Sequence, residues 1–139
     1  MKTTVLGLVS LLGAATPAMA QDVTDGALQF SRQCTACHVV TTPDGTTLAG
    51  RGARTGPNLY GIEDGRIASA DFSYGDGLTR LGEAGASWTE QNFVDYLADP
   101  NGWVRERLDT RHVRSKMAYR LQDEGQARDI WAYLLSLDE

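Results

Sequence analysis

The chain has 139 residues, with thirteen Lys and Arg against eighteen Asp and Glu, and only two cysteines. That length suits one domain, and the acidic balance excludes nucleic acid as a partner, because its phosphates demand a basic surface. Fifteen glycines and few long apolar runs predict short helices joined by loops, with a core so modest that something besides side chains is expected to fill the middle.

The first twenty residues read as a leader and not as part of the fold. Lys2 gives a positive start, residues 5–15 form a small apolar stretch, and Ala18-Met19-Ala20 has the small-x-small form of a signal-peptidase site. The apolar stretch is far shorter than the roughly 20 residues of a membrane span, and no later segment comes close. Cleavage after Ala20 is expected, leaving a soluble, exported domain of residues 21–139; an uncleaved anchor is the alternative. Losing Lys2 with the leader leaves twelve cations against eighteen carboxylates, a formal charge of −6.

Three helices are predicted beyond the leader. The first covers residues 24–33 and places Phe30, Cys34 and Cys37 at helical spacing. The second follows Ser87-Trp88-Thr89-Glu90, which resembles a capping box, carries Phe93, Val94, Tyr96 and Leu97, and is stopped by Pro100. The third spans about residues 123–137, with acids at its start and Ala127, Ile130, Trp131 and Leu134 on one face. Glycine-rich stretches at 44–65 and 73–85 read as loop, and no alternation is long enough for a strand. The class is all-α with long loops.

Cys34-Thr35-Ala36-Cys37-His38 is the strongest chemical signal in the sequence. A C-x-x-C-H run marks c-type haem attachment: two thiols on one helical turn add to the two vinyl groups, and the adjacent imidazole then lies under the iron. A zinc site would need more Cys or His at ligand spacing, and the one other histidine is His112. A redox C-x-x-C would follow a strand in a βαβ unit, and a disulfide closing so short a loop would constrain the unfolded chain little.

The sixth iron position has several candidates. Met117 is the only methionine after the leader, and a soft thioether stabilises ferrous iron; a gap-filling core role is the alternative. His112, Lys116 and an open site compete with it.

With these residues in place the sequence resembles the class I cytochromes c, specifically the larger bacterial c2 and c550 type. The matching landmarks are Gly26, Phe30, Cys34-x-x-Cys37-His38, Thr55-Gly56-Pro57-Asn58-Leu59-Tyr60-Gly61, Gly65-Arg66 and Phe72-Ser73-Tyr74. They continue with Trp88, Tyr96-Leu97-x-x-Pro100, Lys116-Met117 and Ile130-Trp131-Ala132-Tyr133-Leu134. The resemblance spans essentially all of residues 21–139. It implies the cytochrome c fold wrapped around one covalently bound haem c, and one-electron transfer in the periplasm with no catalysis by the chain itself.

The resemblance also assigns residues. It implies Met117 as the distal ligand to His38, and the Pro57 carbonyl as acceptor of the His38 Nδ1 proton. It implies that Arg66, Tyr74 and Trp88 hold the haem propionates, that Tyr96 sets its hydroxyl near the Met117 sulfur, and that Tyr119 packs at the exposed haem edge. Gly26, Phe30, Ile130 and Tyr133 match the crossing of the first and last helices. The partners it implies are a quinol–cytochrome c oxidoreductase as donor and a terminal oxidase, photosynthetic reaction centre or denitrification enzyme as acceptor, each meeting a monomer. A haem enzyme or gas sensor would instead need an open sixth position, and a fixed subunit of a larger enzyme is a second rival.

The charges are unevenly spread. Residues 105–120 hold Arg105, Arg107, Arg111, Arg114, Lys116 and Arg120 against Glu106 and Asp109, a local +4, while the remainder of the mature chain carries −10. By resemblance this segment surrounds Met117 beside the haem edge, which makes it a candidate docking face for acidic partners; a solvated loop is the plainer reading.

Overall fold

The computed structural model describes residues 21–63 and 65–138, so the expected leader lies outside the described residues. Helix α1, Val23–Gln33, starts where Asp22 accepts hydrogen bonds from the amides of Thr24 and Asp25 at 2.8 and 3.0 Å. That side chain satisfies donors the first helical turn leaves without partners. A small antiparallel pair follows, β1 Val40–Thr41 and β2 Thr47–Ala49, with a register shift between Val40 and Thr41. Helices α2 Asp76–Glu83, α3 Glu90–Ala98, α4 Pro100–Arg107 and α5 Glu124–Ser136 complete the order. The fold is thus mostly helical as expected, with a two-stranded ribbon that no sequence alternation announced.

The first and last helices cross at Gly26. A Cβ at that position would fall 1.9 Å from the Asp129 carbonyl oxygen, so only a bare Cα admits this approach. Phe30 then meets Tyr133, with ring centroids 5.7 Å apart, and the Asp22 amide donates to Asp129 Oδ1 at 2.8 Å.

Two helices escaped the sequence reading. Helix α2 lies inside a stretch that its glycines marked as loop, yet Gly77 and Gly82 are contact points: a Cβ would sit 3.0 Å from the Val104 side chain and 2.1 Å from the Ile67 carbonyl, respectively. Pro100 does stop α3, but it also opens α4 as a first-turn residue, where its missing N–H costs nothing. The capping box of α3 is formed two residues later than expected. Thr89 is the cap and Asn92 its reciprocal partner, because Ser87 is drawn into a bridge with Arg66 and the Trp88 amide donates to Gly65 O at 2.9 Å.

Burial divides the core in two. One group joins α1, α3 and α5 through Phe30, Val40, Phe93, Leu97, Ile130 and Leu134. The other joins α2 and α4 through Ile67, Leu78, Leu81, Tyr96, Trp103 and Val104. Trp88 and Met117 pack against both groups, and the space between them is the site.

Candidate functional site

The C-x-x-C-H run leaves α1 in a tight turn: the amides of Cys37 and His38 both donate to Cys34 O, at 3.0 and 2.9 Å. His38 is then fixed by the opposing 56–59 segment. Its Nδ1 lies 2.9 Å from Pro57 O, and the Gly56 amide donates to Cys37 O at 2.7 Å. With Nδ1 carrying the proton toward Pro57, Nε2 is the free lone pair of a neutral ring. Burial lowers the His38 pKa, keeping the ring neutral, and the Pro57 bond opposes that only in part.

Both thiols are free. Burial, with the neighbouring Cys37, pushes the Cys34 thiol up to about 12. Among the described residues no three His, Cys, Asp or Glu side chains come together as a metal cluster. The motif follows a helix and not a strand, which removes the βαβ redox reading.

A cavity of about 320 Å³ separates the two core groups, a volume in the range of small-molecule and cofactor sites. Phe30, Leu59, Phe93, Leu97 and Ile130 give it apolar walls. Cys34, Cys37, His38 and Met117 line this one cavity, as do Pro57, Arg66, Tyr74, Trp88, Tyr96 and Tyr119. The donor set fits a flat apolar group with a metal at its centre: two thiols for covalent attachment, a neutral imidazole and a thioether for coordination, and donors for peripheral carboxylates. Burial raises the Tyr74 pKa, and that of Tyr96 to about 12, so both phenols remain protonated donors.

Met117 lies in a segment, residues 113–121, with neither helix nor strand, yet the segment is strapped at many points. Lys116 Nζ donates to Ser73 O at 2.5 Å and Ser73 Oγ at 3.1 Å, the Tyr119 hydroxyl donates to Gln33 Oε1, and the Leu121 amide donates to Leu97 O at 2.8 Å. The Tyr96 hydroxyl pairs with Ser115 Oγ at 2.5 Å, and Tyr96 and Met117 line the same cavity. Asn101 and Ser115 were missed by sequence reasoning, and Ser73 was quoted only within a landmark and given no role, since small polar residues carry no pattern of their own.

The six basic residues of 105–120 separate into two sets. Arg105 Nε donates to Val113 O at 3.2 Å, the Arg107 guanidinium sits 4.5 Å from the Trp103 ring centroid, Lys116 is held by Ser73, and Arg120 pairs with Asp99 at 2.9 Å. Arg111 and Arg114 are exposed, and their side chains make no hydrogen bond or ion pair among the described residues.

No protein-family model matches the chain, but individual relatives do. It is 46% identical over 126 residues to a cytochrome c2 of Cereibacter sphaeroides, covering 87% of this chain and 86% of the relative. It is 40% identical over 138 residues to a cytochrome c-551 of Roseobacter denitrificans, covering 99% and 96%. Among solved structures, cytochrome c2 from Rhodobacter sphaeroides superposes with a TM-score of 0.80 at 40% identity, over 84% of this chain and 96% of that one. Ferric cytochrome c-550 from Paracoccus versutus does so with a TM-score of 0.78 at 36% identity, over 86% and 100%. Taken with the C-x-x-C-H turn, the cavity and the helix crossing at Gly26, this agreement over nearly full length places the chain in the class I cytochrome c family, in its bacterial c2/c-550 branch.

Proposed function

We propose that this chain is a soluble one-electron carrier of the periplasm, to which one haem c would be joined by thioethers at Cys34 and Cys37, with His38 and Met117 as the residues that would hold its iron. One observation carries the reading: both thiols, the imidazole and the thioether line a single apolar cavity of about 320 Å³. When bound, haem c supplies a ferric–ferrous couple that takes up or releases a single electron.

The chain's own residues do the remainder. Pro57 holds the His38 ring by its Nδ1 proton and makes Nε2 the stronger donor. The soft sulfur of Met117 favours the reduced state and raises the potential. Phe30, Leu97 and Ile130 keep water from the site, while Arg66, Tyr74 and Trp88 offer donors to the propionates, whose burial would otherwise be costly. Tyr119, 42% exposed, marks the edge where a partner approaches.

The donor in this reading is a quinol–cytochrome c oxidoreductase, and the acceptor a terminal oxidase, a photosynthetic reaction centre or a denitrification enzyme. The monomer meets both on the basic face around Met117, with Arg111 and Arg114 as the charges free to engage an acidic surface. No helix among the described residues is long and apolar enough to cross a membrane.

Mass spectrometry of the denatured periplasmic protein tests the assignment. The expected species starts at Gln21, carries one haem and has no free thiol. Haem that extracts into acidified organic solvent would refute it.

A further inference from the structure

Gln33, the last residue of α1, has both polar atoms of its side chain engaged. Its Nε2 donates to Gln29 Oε1, one turn back, at 2.5 Å and to Gln126 Oε1 on α5 at 3.1 Å. Its Oε1 accepts the hydroxyl of Tyr119, 86 positions along the chain. Gln33 and Tyr119 both line the cavity; Gln33 is half-buried, and Tyr119 is exposed.

An amide side chain can turn end for end, exchanging its donor for its acceptor. Here a carboxylate settles the sense. Asp123, the cap of α5, has only acceptors to offer, so Gln126 Nε2, 3.4 Å away, donates to it. Gln126 then faces Gln33 with its oxygen, Gln33 answers with its nitrogen, and the Gln33 oxygen is left for Tyr119. Turning Gln33 over would set two carbonyl oxygens against each other. The Gln126 backbone amide holds the far end in place by donating to Asp123 Oδ1 at 3.0 Å. Tyr119 needs such a tie: its segment has neither helix nor strand, and packing alone leaves an exposed ring its rotamer freedom.

We infer that Gln33 is a positioning residue for Tyr119, its amide oriented by Gln126 and Asp123 so that it latches the Tyr119 ring across the open edge of the cavity. This rests on the reading of Tyr119 as the edge that a partner approaches. Asp123 and Gln126 are not among the residues that line the cavity, so the surface a partner meets is set in part from the seam of α1 and α5. The hydroxyl proton of Tyr119 is committed inward, to Gln33, and the ring is held where the segment alone would let it swing.

The experiment uses the haem-loaded ferric protein and imidazole, whose binding measures how readily the edge opens to a small ligand. Tyr119→Ala removes the ring and is expected to raise the affinity most. If it leaves the affinity unchanged, the ring does not cover the cavity, and the inference falls with the edge reading. Tyr119→Phe keeps the ring and removes only the tie. It is expected to raise the affinity about tenfold, the scale of one lost hydrogen bond, and Gln33→Leu about as much. Combining the two should add less than about a further twofold, because both remove the same bond. Gln126→Leu, outside the cavity, is expected to give a smaller rise, since Gln33 is then free to turn over. If Gln33→Leu yields no haem-loaded protein, Gln126→Leu takes its place beside Tyr119→Phe under the same rule. Parental affinity in Tyr119→Phe, Gln33→Leu or Gln126→Leu, even with a lowered denaturation midpoint, overturns the inference and leaves Tyr119 as the edge. So do single effects that multiply in full in the double variant.

Discussion

Gly56 presents a bare Cα to the imidazole of His38: a Cβ there would fall 2.5 Å from Cε1 and 2.8 Å from both ring nitrogens. The next residue, Pro57, accepts the Nδ1 proton at 2.9 Å, so two consecutive residues set the ring's plane and its rotation. Gly56→Ala must displace one of them. The expected cost is about 1–3 kcal/mol, the usual scale of overpacking, seen as a lower denaturation midpoint and a reduced yield of haem-loaded protein. An unchanged midpoint would show that the ring moves aside freely.

Removing the Met117 side chain should lower the reduction potential as well as change the spectrum, because the soft sulfur that favours ferrous iron is gone. Redox titration of Met117→Ala against the parent checks this. If a His112 substitution lowers the potential and Met117→Ala does not, the distal ligand is His112.

Arg111 and Arg114 are the exposed cations of the basic segment that the fold leaves without partners among the described residues. Changing both to Glu should slow electron transfer to an acidic-faced partner at low salt and leave the haem spectrum intact. For the unaltered protein the second-order rate should fall as the Debye length shrinks below roughly 10 Å. A rate that is flat or rises with ionic strength would put docking elsewhere on this acidic chain.

Asp44, in the turn joining β1 and β2, accepts first from the Thr42 hydroxyl and then from the Thr46 amide at 3.2 Å. These bonds hold its carboxyl below the ordinary value of 3.8. A depressed carboxylate contributes stability that is fully present above its unfolded pKa and is lost as pH falls through the folded one. Carboxyl titration by NMR should place Asp44 below 3.8, and the ribbon amides should lose protection from exchange as Asp44 takes up its proton. A midpoint at or above 3.8 would contradict these bonds.

What the sequence revealed follows from how local each signal is. Helices α1, α3 and α5 were legible because apolar spacing and capping residues lie within a few positions of one another. Helix α2 was hidden by glycines that serve contacts with Val104 and Ile67, partners distant in sequence. Helix α4 was hidden by Pro100, which reads as a stop whether or not a new helix begins on it. At the site, Cys34, Cys37 and His38 were legible because they are contiguous, and Pro57, Arg66, Tyr74, Trp88, Tyr96 and Tyr119 through family resemblance. The Ser115–Tyr96 bond and the engagement of Arg105, Arg107, Lys116 and Arg120 were not, because each depends on a tertiary neighbour.

The bond from Asp22 to Asp129 joins residues 107 positions apart, so nearly everything between them lies inside one closed ring of chain. Closing a ring of that size costs about 4 kcal/mol beyond a constant, from (3/2)RT ln n, and the crossing at Gly26 must recover it. The seam then works as a clasp. Cys34 caps one of its halves and Ile130 lies on the other, so parting it would bare the attachment side of the cavity in a single opening. The amides of α1 and α5 should accordingly exchange with solvent as one cooperative unit, and more slowly than those of the 113–121 segment.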